Sequence, residues 1–212
     1  MHKPSYLHAM RELLLCLLVL MSIVCAAQTF RGSIIGGFNL SQVDGDDLRG
    51  FHRPGINAGL RVVALLSDKW RVGPELLFSQ QGAVRNQNAE SVGNLQSLRF
   101  QTLELPLMLY YKDWRLIAAA GASYQRLISY RIEDTNGEDI SNTLPLSDNW
   151  VALQLGVTLQ LSPKIGFDFR WSRHFSDLQT VASPRLRGRT LTLRLAYTIG
   201  SGESLPKTIT TN

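Results

Sequence analysis

The sequence has 212 residues, a length that accommodates one domain and leaves little room for a second. Its formal net charge is +5, but the charges are scattered with no basic run, which argues against a nucleic-acid partner. The 44% hydrophobic content resembles that of a soluble protein, yet it does not exclude a membrane barrel, which spends apolar residues on only half of each strand.

The amino terminus has the organisation of a secretory signal. Lys3 and Arg11 precede an apolar stretch at 13–24, and the small-residue cleavage site Cys25–Ala27 follows. The stretch is shorter than the roughly 20 residues of a spanning helix. We predict cleavage of residues 1–27, with Met10 as an alternative start. A lipid-modified Cys25 is the competing interpretation. Because Cys16, the second cysteine, also lies in this signal, the mature chain has no disulfide.

After the signal, the chain is organised as apolar and polar residues that alternate with a period of two, which indicates strands with two different faces. In the clearest example, Leu191, Leu193 and Leu195 alternate with Thr192 and Arg194. Lipid outside and a polar lumen inside satisfy both faces, whereas a soluble barrel would carry a charged outer face. Eight candidate strands cover 31–40, 54–66, 69–82, 98–111, 114–129, 149–162, 164–175 and 188–199.

The connections between these strands alternate in length. Short turns at Ser67-Asp68, Lys112-Asp113 and 162–164 alternate with long polar segments, as in outer-membrane barrels with short periplasmic turns and long external loops. We predict an all-β, eight-stranded, antiparallel, up-and-down transmembrane β-barrel over 28–199 in a Gram-negative outer membrane, with both barrel termini periplasmic. The composition of 200–212 predicts a disordered periplasmic tail.

Two further sets of residues follow from strand parity. Four aromatic residues face lipid at one predicted rim and form a candidate girdle, because amphipathic rings favour the membrane interface. Six charged residues face the lumen, and an eight-stranded lumen is just wide enough for side chains to fill it. We therefore predict an interlocked ion-pair plug and no open pore; an ion or proton path is the alternative. The girdle is Trp70, Tyr111, Trp114 and Tyr197, and the lumen set is Arg61, Glu75, Glu104, Asp168, Arg170 and Arg194.

His174 and Ser176 form the one candidate catalytic pair, because residues two apart share a face of a strand. Their spacing resembles the His-x-Ser of lipid A deacylases, which are eight-stranded outer-membrane barrels with an orienting acid on the next strand. Here that strand carries Arg187, Arg189 and Arg194 and no acid. Parity also turns the pair toward the lumen. We expect a non-enzymatic protein, with an outer-membrane lipid A-modifying hydrolase as the alternative.

The spacing of potential ligands indicates no cofactor or metal site. His52 stands alone in a loop, and the mature histidines are too few and too far apart in sequence for a zinc site. Asp44, Asp46 and Asp47 lack the spaced ligands and closing Glu of a calcium loop.

An arginine-rich segment follows the seventh strand and suggests a partner. Arg173, Arg185, Arg187 and Arg189 would lie at the outer surface, where lipopolysaccharide phosphates accept bidentate hydrogen bonds. A solvated basic loop is the alternative. We expect outer-membrane lipid and lipopolysaccharide as partners, together with an envelope or secretion protein.

The chain as a whole resembles the PorT-type outer-membrane β-barrel family. The matching segments lie in family order across most of the mature chain: 36–41, 53–60, 74–82 and 103–107. The resemblance implies an integral outer-membrane barrel, and the founding member is associated with the type IX secretion machinery. Because function belongs to sites rather than to folds, membership alone does not assign that role to this chain.

Overall fold

The computed structural model describes residues 29–44, 53–84, 95–143, 146–177 and 187–205. Within them, eight antiparallel strands pair in sequence order and the last pairs with the first, which closes the barrel. The predicted eight-stranded, up-and-down architecture is confirmed. The strands are β1 Thr29–Asp44, β2 Arg53–Leu65, β3 Trp70–Val84, β4 Leu95–Asp113, β5 Leu116–Asp134, β6 Asn149–Gln160, β7 Ile165–His174 and β8 Arg187–Thr198.

The three short connections lie at one end of the barrel, together with the start of β1 and the end of β8. One differs from the prediction, because β4 runs through Lys112 and Asp113, and the turn is Trp114-Arg115. Asp113 pairs with Leu116, so two residues connect the strands. Two-residue hairpins require a positive φ at the first loop position, and Trp114 has a φ of 52°. We call this the periplasmic end.

The outer surface of the barrel is apolar along the strands. On β4, Leu105, Leu107 and Leu109 are exposed, whereas the intervening Met108 and the preceding Glu104 are buried in the lumen. The other described strands also expose large apolar side chains. Soluble monomers rarely expose contiguous apolar surface on this scale, so the band is a lipid-facing surface.

The interior is filled from end to end by side chains. An apolar cluster that includes Val63, Met108 and Tyr110 lies toward the periplasmic end, and a polar layer lies above it. The strands approach closely: a Cβ at Gly59 would collide with the backbone carbonyl of Leu76 on β3. This packing matches the narrow lumen of an eight-stranded barrel.

At the opposite, extracellular end, β4 and β5 extend beyond the predicted strand limits to 19 residues each. The chain after β5 folds back through a bridge between Glu133 and Asp139, followed by a single 3-10 turn, Ser141–Thr143. Apolar packing inside the mouth explains this extension. The outer cluster comprises Ala83, Leu98, Phe100, Ile132, Leu146 and Trp150.

The chain after β8 also differs from the prediction of a tail disordered from residue 200. Residues 200–205 turn back under the barrel, with Gly200 and Gly202 at left-handed φ values of 88° and 76°. Glu203 is buried, because three cations of the barrel mouth pair with it. The remaining predicted tail, 206–212, and the predicted signal, 1–27, lie outside the described residues.

Candidate functional site

Five charged side chains meet in the middle of the lumen and form one ion-pair network, which we call the central network. Arg61 comes from β2, Glu75 from β3, Asp168 and Arg170 from β7, and Arg194 from β8. All five are buried. Strand parity turns each of them inward, and barrel closure pairs β8 with β1, so that β7 and β8 come close to β2 and β3.

Each acid of the central network accepts hydrogen bonds from several arginines. Arg61 donates to Glu75 Oε1 at 2.7 Å and to Asp168 Oδ2 at 2.6 Å. The two terminal nitrogens of Arg170 donate to Glu75, one to Oε2 at 2.8 Å and the other to Oε1 at 3.1 Å. Arg194 donates to Asp168 Oδ1 at 3.1 Å and to Glu75 Oε2 at 3.4 Å. These are charge-assisted bonds, and such bonds are the stronger class in proteins.

Neutral groups complete the coordination of the two acids. The Tyr110 hydroxyl donates to Glu75 Oε1 at 2.6 Å, and the Thr158 hydroxyl donates to Asp168 Oδ2 at 3.3 Å. The Arg61 guanidinium also lies over the Tyr110 ring, 5.2 Å from its centroid. The Nε atoms of Arg170 and Arg194 are buried without a hydrogen-bond partner, but both acids are multiply paired. Because an unpaired buried charge is costly, these pairings stabilise the lumen as a unit.

Glu104, the sixth residue of the lumen set, is buried but lies apart from the arginines. It accepts hydrogen bonds from the Gln81 amide at 2.7 Å and from the Gln154 amide at 3.4 Å. Among the described residues, no cation lies within ion-pair distance of its carboxylate. The structure therefore joins five of the six residues directly and connects Glu104 through amide side chains.

The remaining lumen volume is small. A cavity of about 30 Å³ lies between the central network and the periplasmic mouth, and one of about 10 Å³ lies above the network beside Glu104. A single buried water needs roughly 10–15 Å³, so the first space has room for about two waters and the second for about one.

A second charged cluster lies at the periplasmic mouth. We call Arg31, Arg71, Lys112 and Glu203 the periplasmic cluster. Glu203 pairs with Arg31 at 2.8 Å and with Lys112 at 3.0 Å, and both terminal nitrogens of Arg71 bind its carboxylate.

The electrostatics of the periplasmic cluster favour the ionised carboxylate. Burial alone would raise the pKa of Glu203, but hydrogen bonds and charges from Arg71, Arg31 and Lys112 outweigh it and lower the pKa to about 2. Because the ordinary value is 4.5, the contribution of this contact to stability is fully present above pH 4.5. It is lost as the pH falls toward 2.

The four girdle residues lie at the periplasmic rim and face outward. Trp70 and Tyr111 pair across β3 and β4, and their rings meet edge to face with centroids 4.9 Å apart. Tyr197 is exposed opposite Ile165. Trp114 is exposed in the turn itself, with the Arg115 guanidinium 5.9 Å from its ring centroid.

Comparison with known proteins identifies the family to which the chain belongs. The family model for the outer membrane protein beta-barrel domain matches residues 26–180, which is most of the chain. The chain belongs to this family. As a member, it is an outer-membrane protein, and its apolar band faces that membrane. No curated protein matches the sequence.

Solved structures of other outer-membrane barrels are similar to this family member at low identity. Ail of Yersinia pestis, solved with the heparin analogue sucrose octasulfate, is 16% identical, with 80% of this chain and 99% of that chain covered and a TM-score of 0.48. Neisserial surface protein A is 10% identical, with coverages of 79% and 96% and a TM-score of 0.47. OprG of Pseudomonas aeruginosa is 15% identical, with coverages of 81% and 97% and a TM-score of 0.41.

The candidate catalytic pair is not brought together in this barrel. The His174 ring is buried, with Nε2 2.8 Å from Gln125 Oε1 and Nδ1 3.0 Å from the Gly188 carbonyl oxygen. The Ser176 hydroxyl instead accepts a hydrogen bond from the Val151 amide at 2.9 Å. Both ring nitrogens of His174 therefore have other neighbours.

Within the described residues, no group of histidine, cysteine and acidic side chains is arranged to hold a metal. No helix in this part of the chain is long and apolar enough to cross a membrane. His52, Asp46, Asp47 and Arg185 lie outside the described residues.

Several residues of these networks were not singled out from the sequence. Arg71 and Lys112 share strand parity with Glu75 and Tyr110, so the inward direction of both was available from the alternation. Glu203 carries no such signal, because it lies in a segment without periodicity.

Proposed function

We propose that this family member is a plugged, non-enzymatic barrel that serves as a binding or accessory component of the outer membrane. The observation that carries this proposal is the dense filling of the lumen by side chains. The central network joins β2, β3, β7 and β8 across the interior, and the two cavities beside it have room for only about three waters. A lumen of this kind favours a role performed by the ends and rim of the barrel.

The non-enzymatic part of the proposal is supported by the surroundings of His174. A general base must reach its nucleophile, and the two nitrogens of this ring are occupied by Gln125 and the Gly188 carbonyl. The ring also packs edge to face on Trp150, with centroids 5.7 Å apart. These contacts favour a structural role in the extracellular mouth over a hydrolase site that opens to lipid.

The arginines at the extracellular rim favour lipopolysaccharide as a partner. Arg173 on β7 and Arg189 on β8 lie directly opposite in the strand register, near the extracellular end. Both residues have the outward-facing parity of their strands and are partly exposed. Lipopolysaccharide phosphates are the anions available at this depth, and they accept bidentate hydrogen bonds from arginine.

A protein partner in the envelope is the second element of the proposal. The extended β4–β5 hairpin and the loop that folds back onto it present a preformed surface, because Leu146 is anchored in the outer cluster. The resemblance to PorT-type proteins over 36–41, 53–60, 74–82 and 103–107 supports an accessory role in secretion or envelope integrity.

Planar-bilayer recording tests the closed lumen. We expect the wild-type protein and Glu104→Gln to show no open-channel steps, because the substitution removes one charge but leaves the central network intact. Gel mobility with and without boiling serves as the folding control, since folded membrane barrels migrate anomalously. Raised conductance of the folded Glu104→Gln variant would contradict the plug and favour an ion path.

Binding to lipopolysaccharide tests the outer rim. The double variant Arg173→Gln, Arg189→Gln should bind lipopolysaccharide about tenfold more weakly, because it loses charge-assisted hydrogen bonds to phosphate. Arg126→Gln is the control, since it removes the charge of another exposed arginine, on β5, which pairs with Asp148 at 3.2 Å. If both variants lost the same amount of lipopolysaccharide binding, the effect would come from general surface charge and the proposed contact would be refuted.

A further inference from the structure

We propose that the cations of the periplasmic cluster form a binding site for an acidic peptide segment of a periplasmic partner, in which Glu203 acts as an exchangeable internal ligand. The site lies at the periplasmic end of the barrel, opposite the extracellular rim. The proposal therefore goes beyond the proposed function and does not depend on it.

The charge balance of the site is the first support. Arg31, Arg71 and Lys112 bring three cations to the single carboxylate of Glu203. Among the described residues, no second acid lies within ion-pair distance of any of the three. Arg71 and Lys112 are buried, so their repulsion is poorly screened. The site thus carries more positive charge than its internal ligand neutralises.

The contacts also recognise peptide backbone, which points to the class of ligand. The Glu203 amide donates to the Pro163 carbonyl oxygen in the β6–β7 turn. Lys112 Nζ donates to the Ser204 carbonyl oxygen at 2.7 Å and to its hydroxyl at 3.3 Å. A free phosphate or a lipid headgroup would use the cations and leave the backbone contact of Pro163 unused. A peptide that carries a carboxylate uses both.

The geometry of the internal ligand allows exchange. Glu203 is connected to β8 through Gly200 and Gly202, both in the left-handed region, which glycine adopts without steric cost. The cavity of about 30 Å³ opens beside the carboxylate and is lined by Arg31, Arg71 and Glu203. The Nε of Arg71 is buried and has no hydrogen-bond partner, so the hydrogen-bonding capacity of the cluster is not fully used by Glu203. The cavity gives an incoming carboxylate space beside these cations.

A binding experiment on the full chain in lipid nanodiscs, which leave both ends accessible, tests the exchange. The probe is a synthetic peptide of residues 200–207, Gly-Ser-Gly-Glu-Ser-Leu-Pro-Lys. In the wild-type protein, tethered Glu203 competes at an effective concentration of about millimolar, so the peptide binds weakly. We expect Glu203→Gln to bind it at least about tenfold more tightly, because the internal competitor has lost its charge.

Three controls make the result specific. The same peptide with Gln in place of Glu should bind neither protein, and adding Arg71→Gln to Glu203→Gln should abolish the gain. Each variant must retain its heat-dependent gel mobility. The proposal is overturned if folded Glu203→Gln binds the acidic peptide no more tightly than the wild-type protein. Glu203 would then be a fixed structural contact that does not exchange. Inorganic phosphate that competes as well as the peptide would also overturn it, since the site would then recognise small anions.

Discussion

Replacing Glu75 with glutamine should lower the free energy of unfolding by about 3–5 kcal/mol, the cost of removing one partner from a buried ion pair. Glu75 is only 1% exposed and accepts hydrogen bonds from Arg61, Arg170, Arg194 and the Tyr110 hydroxyl. Glutamine keeps the size of the side chain but removes its charge. Three guanidinium groups then remain with Asp168 as their one direct acidic partner in the central network, in a lumen that has little room for water.

Urea unfolding of the protein in lipid vesicles, followed by tryptophan fluorescence, measures this loss. The matched control is Asp148→Asn in the extracellular loop, where an exposed carboxylate pairs with exposed Arg126 at 3.2 Å. Exposed pairs contribute about 0–1 kcal/mol, so the control should stay within that range. If Glu75→Gln unfolds within 1 kcal/mol of the control, the central network does not stabilise the barrel as described.

A charge introduced on the lipid-facing surface should also be strongly destabilising. Here the cause is a new charge in an apolar environment, whereas in Glu75→Gln it is the loss of a charge from a buried ion-pair network. Leu107 on β4 is 61% exposed and lies six residues before the end of the strand, near the middle of the apolar band. Leu107→Lys should cost about 2–4 kcal/mol, because a lysine at the bilayer midplane has no water to solvate it. The same urea titration in vesicles measures the change.

Leu161→Lys is the control for depth. Leu161 is similarly exposed, at 52%, but it lies in the short turn between β6 and β7 at the periplasmic rim. A lysine there reaches water, so the expected cost is about 0–1 kcal/mol. Equal costs at the two positions would contradict the assignment of the β4 surface to the lipid interior.

The strands and their faces were predictable because the alternation of polarity carries direct physical information. A period of two determines which residues share a face. In an outer-membrane barrel the apolar face contacts lipid and the polar face lines the lumen. The same rule placed all six members of the lumen set inside. It does not reveal which strands meet across the lumen. That depends on barrel closure and stagger, so the separation of Glu104 from the arginines was not foreseeable.

Local composition was misleading at two places for identifiable reasons. Lys112 and Asp113 have turn-forming composition, but Lys112 is inside the barrel and pairs with Glu203, and the turn moves to Trp114. The tail is polar and rich in glycine and serine, which is typical of disorder. Its order over 200–205 comes from ion pairs with residues more than ninety positions away in sequence, a tertiary effect that composition does not encode.

The central claim is that the apolar face of each strand contacts acyl chains while the other face is enclosed. Nitroxide side chains introduced one at a time at 103–109 of β4 test it directly, and the two native cysteines lie in the predicted signal. Collision rates are measured with oxygen, which concentrates in lipid, and with a water-soluble nickel chelate. We predict high oxygen access at 103, 105, 107 and 109, and low access to both reagents at 104, 106 and 108. High nickel access at the odd positions, or no alternation, would contradict the account.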